Sequence, residues 1–194
     1  MKGLFVPMRM IIWMIYFWLY MLRTIPWIYT ARRLQRRGET EKLDAFLLKR
    51  VTDWARRLLR LAGARITVSG QENIPQGAVV FISNHQGNFD IPLMLSTCGR
   101  LVGFVSKIEI KKLPIVRSWM EFIHCVFINR SNPREAMMLL LRDSVKTLQE
   151  GYSLHISPEG TRSRGGPVAR FKYGGFKTVS YTHLSSSVRS SIRN

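Results

Sequence analysis

The stretch that decides the fold is Ala78-Val79-Val80-Phe81-Ile82-Ser83-Asn84-His85-Gln86-Gly87-Asn88-Phe89-Asp90. Its first five residues are apolar and partly β-branched, which predicts a buried strand. His85 would then leave the end of that strand in a loop, where α/β proteins often hold their active sites. On one continuous helix the side chains of His85 and Asp90 would lie roughly 140° apart, so pairing them requires a turn. Gly87 and Asn88 suit such a turn.

His85 and Asp90 are candidates for a general base and the carboxylate that orients it. An imidazole has an ordinary pKa of about 6.5 and is a usable base at neutral pH, while a carboxylate on its other nitrogen fixes the tautomer and stabilises the imidazolium. General-base catalysis by such a pair raises the reaction rate by roughly 10²- to 10⁴-fold. The alternative is that His85 only binds a loop carbonyl while Asp90 caps a helix predicted at residues 91–97. The pair alone leaves both interpretations open.

Two more polar clusters follow apolar, strand-like runs. The run Tyr152-Ser153-Leu154-His155-Ile156 leads directly into Ser157-Pro158-Glu159-Gly160-Thr161-Arg162-Ser163-Arg164, and Phe127-Ile128-Asn129-Arg130 lies between this cluster and His85. Taken separately, Arg130 could be a solvated residue at a strand end, and the cluster could be a polar loop. Their common order along the chain favours a shared function.

That order, together with Lys107, Glu109 and Pro114, resembles the family of 1-acyl-glycerol-3-phosphate acyltransferases, also called lysophosphatidic acid acyltransferases. The resemblance covers roughly residues 66–177. It implies that His85 deprotonates the free hydroxyl of a lysophospholipid while Asp90 holds the imidazole. The hydroxyl oxygen would then attack the thioester of acyl-coenzyme A or acyl-carrier-protein directly. The absence of a Gly-x-Ser-x-Gly nucleophile motif from the sequence agrees with a reaction that needs no protein nucleophile.

The resemblance also implies a binding site for the glycerol phosphate. A guanidinium group binds phosphate through two parallel hydrogen bonds, which makes Arg130 and Arg162 phosphate candidates, together with Lys107. A carboxylate repels phosphate, so we expect Glu159 to bind a substrate hydroxyl or to fix Arg162. No cofactor is implied beyond the acyl donor. The substrate-binding candidates are therefore Lys107, Arg130, Glu159, Gly160, Thr161 and Arg162.

The cysteines and the remaining histidines predict neither a metal site nor a disulfide framework. His124 and Cys125 are adjacent, but no second ligand pair stands at zinc-like spacing, so we expect core residues and no metal. The two cysteines, Cys98 and Cys125, form no pattern, which favours a reducing cytoplasm.

The N-terminal region predicts a membrane anchor. Residues 10–22 form an uninterrupted apolar and aromatic run between Arg9 and Arg23. Thirteen helical residues reach about 20 Å against a hydrocarbon core of about 30 Å, which favours an interfacial or re-entrant helix over a perpendicular span. A cleaved signal peptide fits poorly, because no small-residue cleavage site follows the run. The basic residues that come next place the following domain on the cytoplasmic face of the cell membrane; they are Arg32, Arg33, Arg36 and Arg37.

A second helix is predicted at residues 41–61, where apolar side chains recur every three or four residues among basic ones. It could pack its apolar stripe on the domain core, contact the membrane, or do both. The chain as a whole has 30 Lys and Arg residues against 12 Asp and Glu, a net charge of +18, which favours a polyanionic partner. The clustered aromatic residues of the anchor favour membrane lipids over nucleic acid as that partner.

The remaining elements alternate and predict an α/β fold with a mixed sheet flanked by helices, preceded by an N-terminal membrane-associated helical segment. Asn132-Pro133-Arg134-Glu135 predicts the start of a helix that stops at Gly151. Strands are predicted at residues 66–69, 79–83, 102–106, 126–128 and 154–157, and further helices at 91–97 and 115–123. The predicted divisions are anchoring helices at 1–62, an acyltransferase domain at 63–177 and a tail at 178–194.

The C-terminal part departs from the family pattern. Residues 171–177 resemble the family's stretch before an apolar, proline-containing strand, but residues 178–194 are Ser/Thr-rich and basic. We expect a truncated chain with a foreign tail, or a natural variant, and in both cases a disordered tail and an incomplete substrate wall. Two functions follow: a membrane-bound acyltransferase that forms phosphatidic acid, or a non-catalytic lipid-binding fragment of the same fold.

Overall fold

The computed structural model describes residues 2–160 and Phe171, with side chains from Ile11 onward. Three helices come first, and strands then alternate with helices. The helices are α1 (Lys2–Arg23), α2 (Ile25–Arg36), α3 (Thr40–Leu61), α4 (Asp90–Thr97), α5 (Pro114–Phe122) and α6 (Pro133–Gln149). The strands are β1 (Val80–Ile82), β2 (Val102–Lys107), β3 (Val126–Ile128) and β4 (Ser153–Ile156).

The four strands form one sheet in the order β1-β4-β2-β3, and every pairing is parallel. The prediction of a mixed sheet is therefore wrong for the strands that the structure describes. The physical reason is the connections: α4, α5 and α6 each return the chain to the same end of the sheet, so consecutive strands run in one direction. The carboxyl ends of all four strands consequently meet at one edge.

The strand predicted at residues 66–69 is also wrong. These residues are irregular and exposed, and Gly70 follows them with a φ of 79° before a short 3-10 turn, Gln71–Asn73. Alternating Ile66 and Val68 suggested a half-buried strand, but both side chains remain exposed, so the segment has no apolar contact surface to hold it. Helix α6, in contrast, begins as predicted: Asn132 Oδ1 accepts a hydrogen bond from the Glu135 N–H over 3.2 Å.

Helices cover both faces of the sheet. On one face, α3 buries Leu43, Leu47, Val51 and Ala55 against α4 and β2, which confirms that its apolar stripe packs on the core. Each fully buried leucine contributes roughly 1.5–3 kcal/mol. On the other face, α6 packs against the sheet through a second cluster of buried residues, which are Val126, Leu140, Leu148 and Leu154. The loops at the carboxyl edge of the sheet therefore follow strands that are packed against helices.

Helices α1 and α2 meet at a bend of 41°. Pro26 lies at the start of α2, where its missing N–H and its ring prevent the two helices from continuing as one. Apolar side chains of α1 remain exposed, namely Ile11, Ile12, Ile15, Leu19 and Leu22. Over residues 11–160, no individual helix has the length and apolar character to cross a bilayer, although the bent pair Ile11–Arg23 and Ile25–Arg36 passes by length and composition.

Candidate active site

His85 and Asp90 meet directly: Nδ1 of His85 lies 2.6 Å from Oδ2 of Asp90. The same oxygen accepts hydrogen bonds from the backbone N–H groups of Gln86, over 2.9 Å, and Gly87, over 3.0 Å. The turn that the spacing requires is therefore folded around the carboxylate. Asp90 is the first residue of α4, but these hydrogen bonds come from the preceding loop and not from the first turn of the helix.

This geometry assigns the histidine tautomer. A carboxylate accepts only, so Nδ1 of neutral His85 carries the proton and Nε2 has the lone pair. Two backbone N–H bonds hold the carboxylate in the position where it stabilises an imidazolium. The pair can therefore take up a proton at Nε2 and share the resulting charge with Asp90.

The pair opens into a cavity of about 340 Å³ at the carboxyl edge of the sheet. Arg130, which follows β3, lines the same cavity, as does Gly160 after β4. One guanidinium N–H of Arg130 donates to the carbonyl of Gly160 over 3.1 Å, which ties the two loops together. Three clusters that are separate in sequence thus share one cleft.

The other predicted substrate residues have different placements. Lys107 ends β2, is exposed, and does not line this cavity. Glu159 is 3 % exposed, and neither of its carboxylate oxygens has a hydrogen-bond partner within the described residues. Burying an ionised carboxylate without a hydrogen-bond partner costs free energy. That Glu159 binds a substrate hydroxyl or Arg162 stays a prediction, and this cost is the physical reason for it. Thr161 and Arg162 lie outside the described residues, as does the predicted tail.

The sequence reasoning missed His155 as a site residue. This side chain lines the cleft, is 5 % exposed, and places Nε2 at 2.8 Å from Oγ of Ser83. Burial lowers the pKa of His155 to about 4; nearby Asp90 raises that pKa and His85 lowers it. The available signal was a single histidine between two apolar residues of a predicted strand, Leu154 and Ile156. His124 and Cys125, by comparison, are half-buried, and His124 stacks on Tyr152.

An apolar cavity of about 180 Å³ adjoins the cleft. Ile91 and Phe104 line both spaces, so the wall between them is one residue thick. Residues from α1 to α5 surround it, and the guanidinium of Arg50 lies 4.2 Å over the ring of Trp27 on its wall. The site thus combines a proton acceptor, a cationic group and an apolar space.

A model of the family described as Acyltransferase matches residues 65–185, which is most of the chain. The chain belongs to the acyltransferase family. It is 31 % identical over 126 residues to the probable 1-acyl-sn-glycerol-3-phosphate acyltransferase of Mycoplasma pneumoniae, covering 62 % of this chain and 47 % of that protein. It is 34 % identical over 128 residues to the 1-acyl-sn-glycerol-3-phosphate acyltransferase of Borreliella burgdorferi, covering 66 % of this chain and 51 % of that one.

A chloroplastic 1-acyl-sn-glycerol-3-phosphate acyltransferase of Arabidopsis thaliana is 36 % identical over 123 residues, covering 62 % of this chain and 34 % of the plant protein. The aligned part thus spans about half of the two bacterial relatives and a third of the plant one. The fold is that of the crystal structure of the 1-acyl-sn-glycerophosphate acyltransferase PlsC from Thermotoga maritima. The TM-score is 0.75 at 24 % identity, with 94 % of this chain and 72 % of that chain covered.

Proposed function

We propose that this chain transfers a fatty acyl group from acyl-coenzyme A or acyl-carrier-protein to the free hydroxyl of lysophosphatidic acid, giving phosphatidic acid in phospholipid biosynthesis. The observation that carries the proposal is the 2.6 Å pairing of His85 with Asp90 in a cleft that also holds Arg130. The named relatives support the same acceptor.

In the proposed reaction, Nε2 of His85 removes the proton from the acceptor hydroxyl as the oxygen attacks the thioester carbonyl. The C–O bond forms, the C–S bond breaks, and the proton on His85 passes to the departing thiolate. Asp90 stabilises the imidazolium between these two transfers. No covalent acyl-enzyme is formed, and we expect no cofactor or metal to take part.

The cationic and apolar parts of the site suit the two ends of the substrates. An arginine has five N–H donors, so the bond from Arg130 to Gly160 leaves four for the acceptor phosphate. Arg162 and Lys107 stay as further phosphate candidates. The apolar cavity beside Ile91 and Phe104 is suited to an acyl chain, because it offers contact with carbon groups within reach of the reacting hydroxyl.

We also propose that the chain acts at the cell membrane, with its α/β part on the cytoplasmic face. Helix α1 contacts the loop between His85 and Asp90, since the rings of Trp13 and Phe89 meet edge to face with 6.3 Å between their centroids. An amphipathic acceptor could therefore reach His85 from a lipid surface. The basic end of α2 supports the cytoplasmic orientation.

The decisive test is acyl transfer to lysophosphatidic acid by the full chain in lipid vesicles, with each acyl donor supplied separately. His85→Ala and Asp90→Asn should each lower kcat by roughly 10²- to 10⁴-fold. Asp143→Asn, in a surface ion pair with Arg142, is the matched control and should leave kcat unchanged. Turnover that survives His85→Ala would remove His85 as the base. Folded protein without turnover would support the non-catalytic lipid-binding alternative.

A further inference from the structure

A chain of hydrogen bonds connects β4 to the loop that carries His85. Nε2 of His155 lies 2.8 Å from Oγ of Ser83, and Oγ of Ser83 lies 2.9 Å from the carbonyl oxygen of Asn84. His155 is paired across the sheet with Phe81 of β1 on one side and Phe104 of β2 on the other. The first member of the chain is therefore fixed in the middle of the sheet.

The direction of these bonds follows from the groups involved. A carbonyl oxygen only accepts, so the hydroxyl of Ser83 donates its single proton to Asn84. That hydroxyl must then accept from His155, which requires the proton of neutral His155 to be on Nε2. The Asn84 carbonyl belongs to the peptide bond that connects Asn84 to His85, so the chain of bonds ends on the peptide plane from which His85 projects.

We propose that His155 is a positioning residue: through the hydroxyl of Ser83 it fixes the peptide plane between Asn84 and His85, and with it the direction in which His85 presents Nε2 to the acceptor. This inference rests on the proposed acyl-transfer function, in which His155 would act indirectly, by orienting His85. A rotation of this plane would displace Nε2 while leaving the His85–Asp90 contact possible, and a 1 Å misplacement of a catalytic group costs up to roughly 10²-fold in rate.

Burial supports this role. The pKa of His155 is lowered to about 4, because burial disfavours the charged form; among the described residues, Asp90 raises this pKa and His85 lowers it. His155 is therefore a neutral donor at physiological pH. A second positive charge at this position would destabilise the imidazolium that forms on His85 during the reaction. A neutral histidine can donate a hydrogen bond to Ser83 without adding that charge.

Packing alone is the competing explanation, since the ring of His155 also lies 5.4 Å from the ring of Phe104. His155→Phe keeps an aromatic ring and removes the donor, whereas His155→Gln keeps an N–H donor at nearly the reach of Nε2. Ser83→Ala removes the middle of the chain of bonds. We expect His155→Phe and Ser83→Ala each to lower kcat by roughly 10- to 100-fold with little change in KM. His155→Gln should restore most of the rate, and the double variant should be no slower than either single one.

A spectroscopic measurement separates this inference from the proposed function, because it needs no turnover. In the full chain with ¹⁵N-labelled histidine, we expect His155 as the Nε2–H tautomer, without titration between pH 5 and 8. The proton between His85 and Asp90 should exchange with water faster in His155→Phe than in His155→Gln. An Nδ1–H tautomer, equal exchange in the two variants, or a His155→Gln chain as slow as His155→Phe would each overturn the inference. Loss of turnover in the unsubstituted chain, with the tautomer and exchange as expected, would count against the proposed function alone.

Discussion

Trp119 of α5 donates its indole N–H to the hydroxyl of Thr24 over 2.8 Å, which joins the α/β unit to the bend between α1 and α2. The Thr24 hydroxyl in turn donates to the carbonyl of Met21 over 2.7 Å, and Thr24 is 2 % exposed. The bend is therefore part of the buried structure. This contact fixes where the exposed apolar side of α1 lies relative to His85.

Removing this hydrogen bond should loosen the bend. Thr24→Val keeps the volume of the side chain but leaves the Trp119 N–H without its partner, and we expect a loss of about 1–3 kcal/mol in the free energy of unfolding. Trp119→Phe should show coupling to it in a double-mutant cycle. Urea denaturation measures both. Thr30→Val is the control, because the exposed hydroxyl of Thr30 donates only to the carbonyl of Pro26 within α2. This variant should change the free energy of unfolding by less than about 0.5 kcal/mol. A cycle without coupling would refute the link.

The exposed face of α1 should determine binding to lipid. Ile15 and Leu19 lie one turn apart on this face and are 55 % and 62 % exposed. Each side chain buried in the bilayer contributes roughly 1.5–3 kcal/mol, so Ile15→Asp and Leu19→Asp should each weaken partitioning to vesicles at least about tenfold in a sedimentation assay. Met138→Asp, at an equally exposed methionine on α6, should leave partitioning unchanged. Equal partitioning of all three variants would exclude α1 as the membrane contact.

The local elements were predictable from sequence because they depend on short-range patterns. The Asn132 cap of α6 and the turn at Gly87 are examples, and the pairing of His85 with Asp90 follows from that turn. Strand direction was mispredicted although it follows from the helical connections. The contact of Trp119 with Thr24 joins residues 95 positions apart, and no local periodicity encodes such a pair. His155 was missed for the same reason, since its partner Ser83 follows the end of β1 and lies 72 positions away in the chain.

Arg130 should contribute to acceptor binding more than to the rate of the chemical step. A charge-assisted hydrogen bond is worth roughly 1.5–3 kcal/mol, so Arg130→Ala should raise the KM for lysophosphatidic acid by roughly 10- to 100-fold at nearly unchanged kcat. Arg130→Lys should recover only part of this, because an ammonium lacks the planar pair of donors. Arg134→Ala, at an exposed arginine in the first turn of α6, is the control for the lost charge. A lowered kcat with normal KM would assign Arg130 to the chemical step instead.

Gly103 in β2 is required by close packing. A Cβ atom at this position would lie 2.4 Å from the carbonyl oxygen of His124, a backbone atom that has little room to shift. We expect Gly103→Ala to destabilise the fold by roughly 1–3 kcal/mol or more, measured by urea denaturation. Gly87→Ala is the matched control: the φ of Gly87 is not positive and no atom of the described residues lies within 4 Å of the added carbon, so stability should be nearly unchanged. Equal stability of the two variants would contradict this packing.

Burial of His155 should make the fold less stable in mild acid. Its pKa falls from 6.5 to about 4 on folding, so above pH 6.5 the residue is neutral in both states and adds no pH dependence. Between pH 6.5 and about 4 the unfolded chain binds a proton that the folded chain does not. The free energy of unfolding should therefore fall through this window, by at most roughly 3 kcal/mol from this residue.

That loss is a sizeable part of the 5–15 kcal/mol typical of a domain. Urea denaturation at a series of pH values should detect it, and His155→Gln, which cannot titrate, should remove this part of the slope. The pKa of His124 is also lowered by burial, so the part of the slope that His124 contributes should remain in the variant. A His155→Gln chain that keeps the full acid sensitivity would mean that His155 is not held neutral in the folded state.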